Sequence, residues 1–243
     1  MYNLSTFSSA DLNRCAADLS ALGAGAGSME EAAQRIVRYL FDNLGDTGGK
    51  NPGCALVRFY KTHAYGGLNG ELRGFAQGIL GHAPESPQMK CLVLLATAGE
   101  KQEWNDRGHS AGHKAIPLPN EAFVSQIPMI SRLVSQFGLD VKAVIQPDPN
   151  LLADLEQKSY NAFHVPEAVG SPYVPAQKEF VVPCGVRSVL GFGGMLANGD
   201  LFAVIAFSKV PIPRETADLS QALALKVKEV VQPFANGKVF ASQ

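Results

Sequence analysis

Hydrophobic and polar positions recur along this chain with two different periods, and each change of period marks an element. Over residues 8–22, Leu12, Ala16 and Leu19 fall on one helical face, and the run GAGAG ends the segment. The stretch SMEEAAQRIVRYLFDNLG gives the clearest helical signal. Ser28 and Glu31 read as a capping box, Ile36, Val37, Leu40, Phe41 and Leu44 follow at helical spacing, and Gly45 supplies the stop. TGGKNPG then predicts a loop. In CALVRFYKTH the period becomes two, with Ala55, Val57 and Phe59 alternating against Leu56, Arg58 and Tyr60, which predicts a strand. NGELRGFAQGIL predicts a short helix weakened by its glycines. MKCLVLLATAG is an unbroken apolar run of strand length, which predicts a central place in a sheet.

The middle of the chain is less regular. EKQEWNDRGHSAGHKAIPLP reads as a long loop ending in a short extended piece. NEAFVSQIPMISRLVSQFG is helical from an Asn120 cap, with a kink or break at Pro128. VIQPDPNLLADLEQKSYNAFHV predicts a loop and then a helix, and PEAVGSPYVPAQ a proline-rich connection. Regular signals return with EFVVPCGVRSVLGFGGML and DLFAVIAFSK, two expected strands joined by ANGD, in which Asn-Gly is a hairpin signal. VPIPRETADLSQALALKVKEVVQPF closes the chain as a helix with an apolar face of Leu219, Leu223, Val227, Val230 and Val231. There is no internal repeat and no low-complexity tract.

The cluster Gly191-Phe192-Gly193-Gly194 raises the question of a phosphate loop. A dinucleotide fingerprint needs a third glycine three residues after the second and a helix starting there. Here that position is Leu196, and a hairpin turn follows. A Gly-Lys-Ser/Thr phosphate loop is absent. The glycines are expected inside a strand, where they mark a bulge or a close approach by another group.

With 46% hydrophobic and 18% charged residues in 243, the composition is that of a folded domain with a sizeable core. A net charge of -1 and the lack of Lys/Arg runs give no electrostatic reason to expect nucleic acid or a membrane as partner. The start, MYNLSTFSSADLNRC, lacks the basic and apolar regions of a signal peptide, so the expected location is cytoplasmic. Cys15, Cys54, Cys91 and Cys184 are widely separated and read as reduced structural thiols rather than as a zinc or disulfide framework.

The order helix, strand, helix, strand, irregular middle, hairpin, closing helix resembles the GAF/PAS group of sensor domains. The segment VVPCGVRSVLGFGGMLANGDLFAVIAFSKVPIPRETADLSQALA is similar to the final hairpin and helix start of GAF domains. YNAFHVPEAVGSPYVPAQKEFVVPCGVRSVLGFGGML, MKCLVLLATAGEKQEWNDR and HKAIPLP resemble the GAF-like N-terminal sensory regions of bacterial signalling proteins, found ahead of PAS, histidine-kinase or diguanylate-cyclase modules. The resemblance implies an α+β fold, a GAF/PAS-like antiparallel sheet flanked by N- and C-terminal helices. It divides the chain into a helical extension, 1–27, and a sensory domain, 28–243, with a long irregular middle at 102–178. It further implies a small-molecule-sensing regulatory role, a homodimer paired through the helices at 8–22 and 213–233, and a signalling output domain in cis or in trans. The chain carries no kinase or cyclase signature of its own.

Three groups of residues are candidates for ligand contact. Trp104, the sole tryptophan, stands beside Asn105, Asp106 and Arg107, an aromatic face with polar groups around it. Tyr160, Phe163, His164 and Tyr173 precede the final hairpin, where a GAF-like fold covers its pocket. Arg187, beside the glycines, is an anion partner if it points inward and a solvated residue if outward. His109 and His113 have the four-residue spacing of helical metal ligands, but Gly108 and Gly112 argue against a helix, so no metal site is expected. One of the isolated His63, His82 and His164 could serve as an axial ligand to haem. No nucleophile motif suggests an enzyme, and a redox enzyme would need Cys91 or Cys184 on a cavity with a lowered pKa. The remaining alternative is a ligand-free module that docks on a signalling partner.

Overall fold

A computed structural model describes residues 1–46, 48, 51–110 and 112–241. The loop expected at TGGKNPG and the one spanning residues 101–114 lie partly outside the described residues. Two helices and a strand pair open the chain: β1 (Tyr2–Asn3), α1 (Ser9–Ala21), α2 (Met29–Asn43) and β2 (Leu44–Gly45), with β1 and β2 parallel; α3 (Gly70–Leu80) comes later, after the first long strand. The full capping box is on α1, where Ser8 and Asp11 satisfy each other's backbone amides. At α2, Ser28 accepts from the Glu31 amide at 3.2 Å, but the Glu31 carboxylate takes the amide of Gly27 instead, so only half of the expected box forms.

The main sheet has six antiparallel strands in the order β5-β4-β3-β8-β7-β6: β3 (Cys54–Ala64), β4 (Lys90–Gly99), β5 (Ala115–Leu118), β6 (Phe163–Val165), β7 (Ser188–Met195) and β8 (Leu201–Ser208). The expected α+β arrangement, an antiparallel sheet flanked by terminal helices, is present. Period two decides which residues go to which face. Val57 and Phe59 of β3, Val93 and Leu95 of β4, and Val204 of β8 join the core under α1, α2 and the closing helix α8 (Arg214–Val231). Leu4, Cys15 and Leu19 from the first 27 residues belong to this same core. Leu56 and Tyr60, and Leu201, Ala203 and Ile205, face the other way, into a second core under the middle of the chain.

That middle is built from short pieces: α4 (Glu121–Ser125), α5 (Pro128–Gln136), α6 (Val141–Ile145) and α7 (Leu152–Gln157). Asn120 caps α4, and Pro128 starts a new helix rather than bending the old one, because its missing N–H costs nothing at a first position. The expected strand over EFVVPCGVRSVLGFGGML is shorter than its apolar run. Gln177–Val181 forms a π-helical turn, Pro183 and Gly185 (φ 64°) end it, and pairing starts only at Ser188. Phe180 and Val181 use that turn to pack onto the sheet face instead of joining it.

The glycines lie in β7, as the hairpin reading expected. A Cβ on Gly193 would meet the Phe202 carbonyl oxygen at 2.1 Å, and one on Gly191 the Phe163 ring at 3.1 Å. These residues have no side chain because β8 and neighbouring aromatic rings occupy the space. Just before the start of β8 the ammonium groups of Lys61 and Lys90 both reach the buried carboxylate of Asp200, Lys61 at 2.5 Å. Burial alone would raise the Asp200 pKa, yet the two ammonium groups hold it below the usual carboxylate range.

Candidate functional site

Between the sheet and the middle segment lies a cavity of about 620 Å³. Its floor is the second face of the sheet: Leu56, Arg58 and Tyr60 of β3, with Leu201, Ala203 and Ile205 of β8. Its roof is the apolar side of α5 and α6, where Ile130, Leu133, Val134 and Val144 turn inward. Trp104 and Phe180 close one side. Phe180 meets Trp104 edge-on at 5.5 Å and Phe207 at 5.1 Å, so the three rings form a continuous wall. The volume lies within the range of small-molecule sites, and the lining is mostly hydrocarbon.

Polar groups gather at one end. The Arg58 guanidinium donates from Nη1 to the Tyr60 hydroxyl at 3.2 Å and from Nη2 to the Ser110 hydroxyl at 3.3 Å. Its Nε is buried with no hydrogen-bond partner. His113 lines the mouth with a left-handed backbone (φ 60°), and its imidazole pKa is held below the ordinary value by desolvation and then by the Arg58 charge. His109 and Glu103, both exposed, also reach the mouth.

Of the residues that the sequence singles out for ligand contact, the structure puts Trp104 on the cavity wall. Asn105 braces the end of β4, donating to the Gly99 and Lys101 carbonyls and accepting from Arg38. Asp106 caps the turn that follows it, and Arg107 makes a two-pronged ion pair with Glu30. Tyr160 lies in a separate groove beside α8 and donates to the Leu155 carbonyl, while Phe163 is buried over Gly191. His164 and Tyr173 line a shallow outer groove. The His164 Nε2 is 2.9 Å from the Ile212 carbonyl, and burial lowers its pKa. Arg187 is exposed just before β7, the outward alternative.

None of His63, His82 and His164 lines the cavity. Among the described residues no cluster of three metal-ligating side chains occurs, and no helix is long and apolar enough to cross a membrane. Neither Cys91 nor Cys184 lines the cavity, and burial pushes the Cys91 thiol up to about 12, away from the reactive range. The residues that sequence reasoning missed are Arg58, Ser110 and His113. The available signal was the alternation of Arg58 with Leu56 and Tyr60, a charge on an otherwise apolar strand face.

A six-stranded antiparallel sheet in this order, with the terminal helices on one face and the chain between β5 and β7 folded over the other, decides the architecture. The fold is α+β. No protein-family model matches the chain, and no curated protein matches it. Among solved structures, a free methionine-R-sulfoxide reductase from Neisseria meningitidis, in complex with its substrate, aligns at 13% identity and a TM-score of 0.47 over 96% of each chain. The GAF domain of a phosphoenolpyruvate-protein phosphotransferase from Coxiella burnetii aligns at 11% and 0.44, over 93% of this chain and 95% of that one. A bacteriophytochrome from the photosynthetic bacterium R. palustris aligns at 10% and 0.45, over 95% of this chain and 39% of that one. Likeness at this distance assigns no activity to the chain, and its chemistry has to be read from the cavity.

Proposed function

We propose that this chain is a small-molecule-sensing regulatory domain of bacterial signal transduction, with its ligand held between the sheet and the middle segment. One observation carries the reading: an apolar cavity of about 620 Å³ that its own side chains leave open, with a few polar groups collected at one end. A docking module without a ligand would instead fill that space with its own side chains.

A sensor also needs a route from the site to its output. β8 has Leu201, Ala203 and Ile205 against the cavity and Phe202, Val204 and Ala206 against the helices, and it runs into α8 through residues 209–213. Signalling is a population shift: the ligand favours whichever arrangement of roof and strand it binds better, and that difference in affinity bounds the response. In this reading the packed α1 and α8 helices are the pairing and transmission elements of a cytoplasmic homodimer, coupled to an output domain in cis or in trans.

Native mass spectrometry of freshly purified protein, read beside its absorbance spectrum, tests the proposal. Retained small-molecule mass, or a thermal shift from a metabolite library that is lost when Ala203→Trp fills the cavity, is the expected result. A bare chain mass of 25.9 kDa with no stabilising compound would overturn it. The same spectrum reads the dimer, and a monomer at every concentration would remove the pairing role.

A further inference from the structure

Among the described residues, five largely buried cations each have a carboxylate. Lys61 and Lys90 share Asp200, Arg107 holds Glu30, Lys114 holds Glu71 and Lys228 holds Glu156. Arg58 breaks the pattern. Its partners are the neutral hydroxyls of Tyr60 and Ser110, and no carboxylate among the described residues pairs with it, although Glu103 lies on the same cavity wall. A guanidinium cannot shed its charge by deprotonation, and this one, half-buried at the polar end of an otherwise apolar cavity, is placed to take an anion from elsewhere.

The free donors have a definite arrangement. Arg107 grips Glu30 through Nε at 2.6 Å and Nη2 at 2.9 Å, and Arg38 grips Asp42 through the same two nitrogens. On Arg58 that edge is closed, because Nε is itself buried; Nη1 and Nη2 each spend one N–H on a hydroxyl, at 3.2 and 3.3 Å, and each keeps a second. Those two remaining N–H donors fit the two oxygens of a carboxylate. The floor and roof beyond them are hydrocarbon: Leu92, Ile116, Leu133, Val144 and Ile205. A single guanidinium with two neutral hydroxyls balances one negative charge, not the two of a phosphate monoester.

We propose that the cavity takes an apolar monocarboxylate, an acyl-chain or aryl carboxylate whose oxygens sit on the remaining Nη1 and Nη2 N–H groups of Arg58 and whose body lies under α5 and α6. Tyr60 and Ser110 hold the guanidinium in place, and Trp104 borders the apolar body. This inference rests on the cavity being the ligand site.

Trp104, the sole tryptophan, is a built-in reporter. Decanoate and decan-1-ol are titrated into the full chain by Trp fluorescence and calorimetry, for wild type, Arg58→Met and Arg58→Lys, with circular dichroism and melting confirming the fold of each. A charged hydrogen-bonded pair predicts that decanoate binds wild type roughly 10- to 100-fold more tightly than the alcohol, and that Arg58→Met removes this preference while leaving the alcohol unchanged. Arg58→Lys, which keeps the charge and loses the fork, recovers only part of it. Equal binding of acid and alcohol to wild type, or decanoate binding indifferent to Arg58→Met, overturns the carboxylate while the cavity reading stands. Should neither decyl compound, nor 2-naphthoate and 2-naphthol, bind at millimolar concentration, both fall. If Arg58→Met fails to fold, the acid-to-alcohol ratio on wild type and on Arg58→Lys decides alone.

Discussion

Replacing Gly193 by alanine adds one methyl group to the sheet and tests the packing account of the glycine cluster. The new Cβ would stand 2.1 Å from the Phe202 carbonyl oxygen, 2.9 Å from the Ala203 Cα and 3.0 Å from the Phe137 ring. The first two neighbours are backbone of the paired strand, which cannot rotate away as a side chain can. Relief requires β7 and β8 to separate by about an ångström, a contact distance for carbon on oxygen being well above 3 Å. Overpacking alone costs 1–3 kcal/mol, and weakening a ladder hydrogen bond adds about 1 kcal/mol, so the expected loss is about 3 kcal/mol. For a chain of this size that lowers the melting temperature by roughly 6–12 °C.

Gly74→Ala is the matched control. Gly74 is exposed inside α3 and an added Cβ meets nothing within 4 Å. The same methyl group there should stabilise by about 0.5–1 kcal/mol through lower unfolded-chain entropy and better helix propensity. Urea denaturation followed by circular dichroism measures both variants under one protocol. Gly193→Ala within about 0.5 kcal/mol of wild type, with Gly74→Ala behaving as stated, would refute the reasoning, because a phosphate-binding loop loses ligand affinity rather than stability when its glycine is replaced.

Two other substitutions probe buried charge. Asp200→Asn leaves the almost fully buried Lys61 ammonium without its counter-charge, and a loss of about 3–5 kcal/mol in urea denaturation is expected; a loss under 1 kcal/mol would show that Lys61 deprotonates or finds water at little cost. His63 packs edge-on against Phe240, and burial, followed by the Lys61 charge, lowers its pKa to about 4. The unfolded chain, titrating near 6.5, therefore binds the extra proton between about pH 4 and 6.5, so stability is full above that window and falls as pH drops through it, by at most roughly 3 kcal/mol. His63→Gln should flatten this part of the stability profile, and a wild-type curve no steeper than the variant's between pH 4 and 6.5 would count against the assignment.

The fold was legible where elements are long. α2 and α8 run for 15 and 18 residues, and their apolar spacing repeats enough times to be read. In β3 the alternation holds from Leu56 to Tyr60, but Ala55, expected beside Val57 and Phe59, packs in the second core with Leu56, where the pairing register with β8 shifts between Cys54 and Leu56. The errors fell where one residue's geometry outweighs the pattern. The apolar run at 179–187 has the composition of a strand, but Pro183 denies the ladder a donor and Gly185 turns the backbone, so its apolar residues cover the sheet rather than extend it.

The site was illegible for a related reason. Arg58 stands on the β3 face opposite the terminal helices, and on many antiparallel sheets that face meets water, where an arginine needs no explanation. Only the cover makes it unusual. That cover comes from helices of 5, 9 and 5 residues and a single π-helical turn, each too short for periodicity to declare a buried side. Pieces of that length owe their order to the surface they rest on, and part of that surface is the open cavity rather than protein. Their local stability is expected to be low in the empty chain and to rise when the space is filled. On the proposed reading, the features that hid the cavity from the sequence are the ones that would let a bound molecule reorder the roof, and through β8 the attached helix α8.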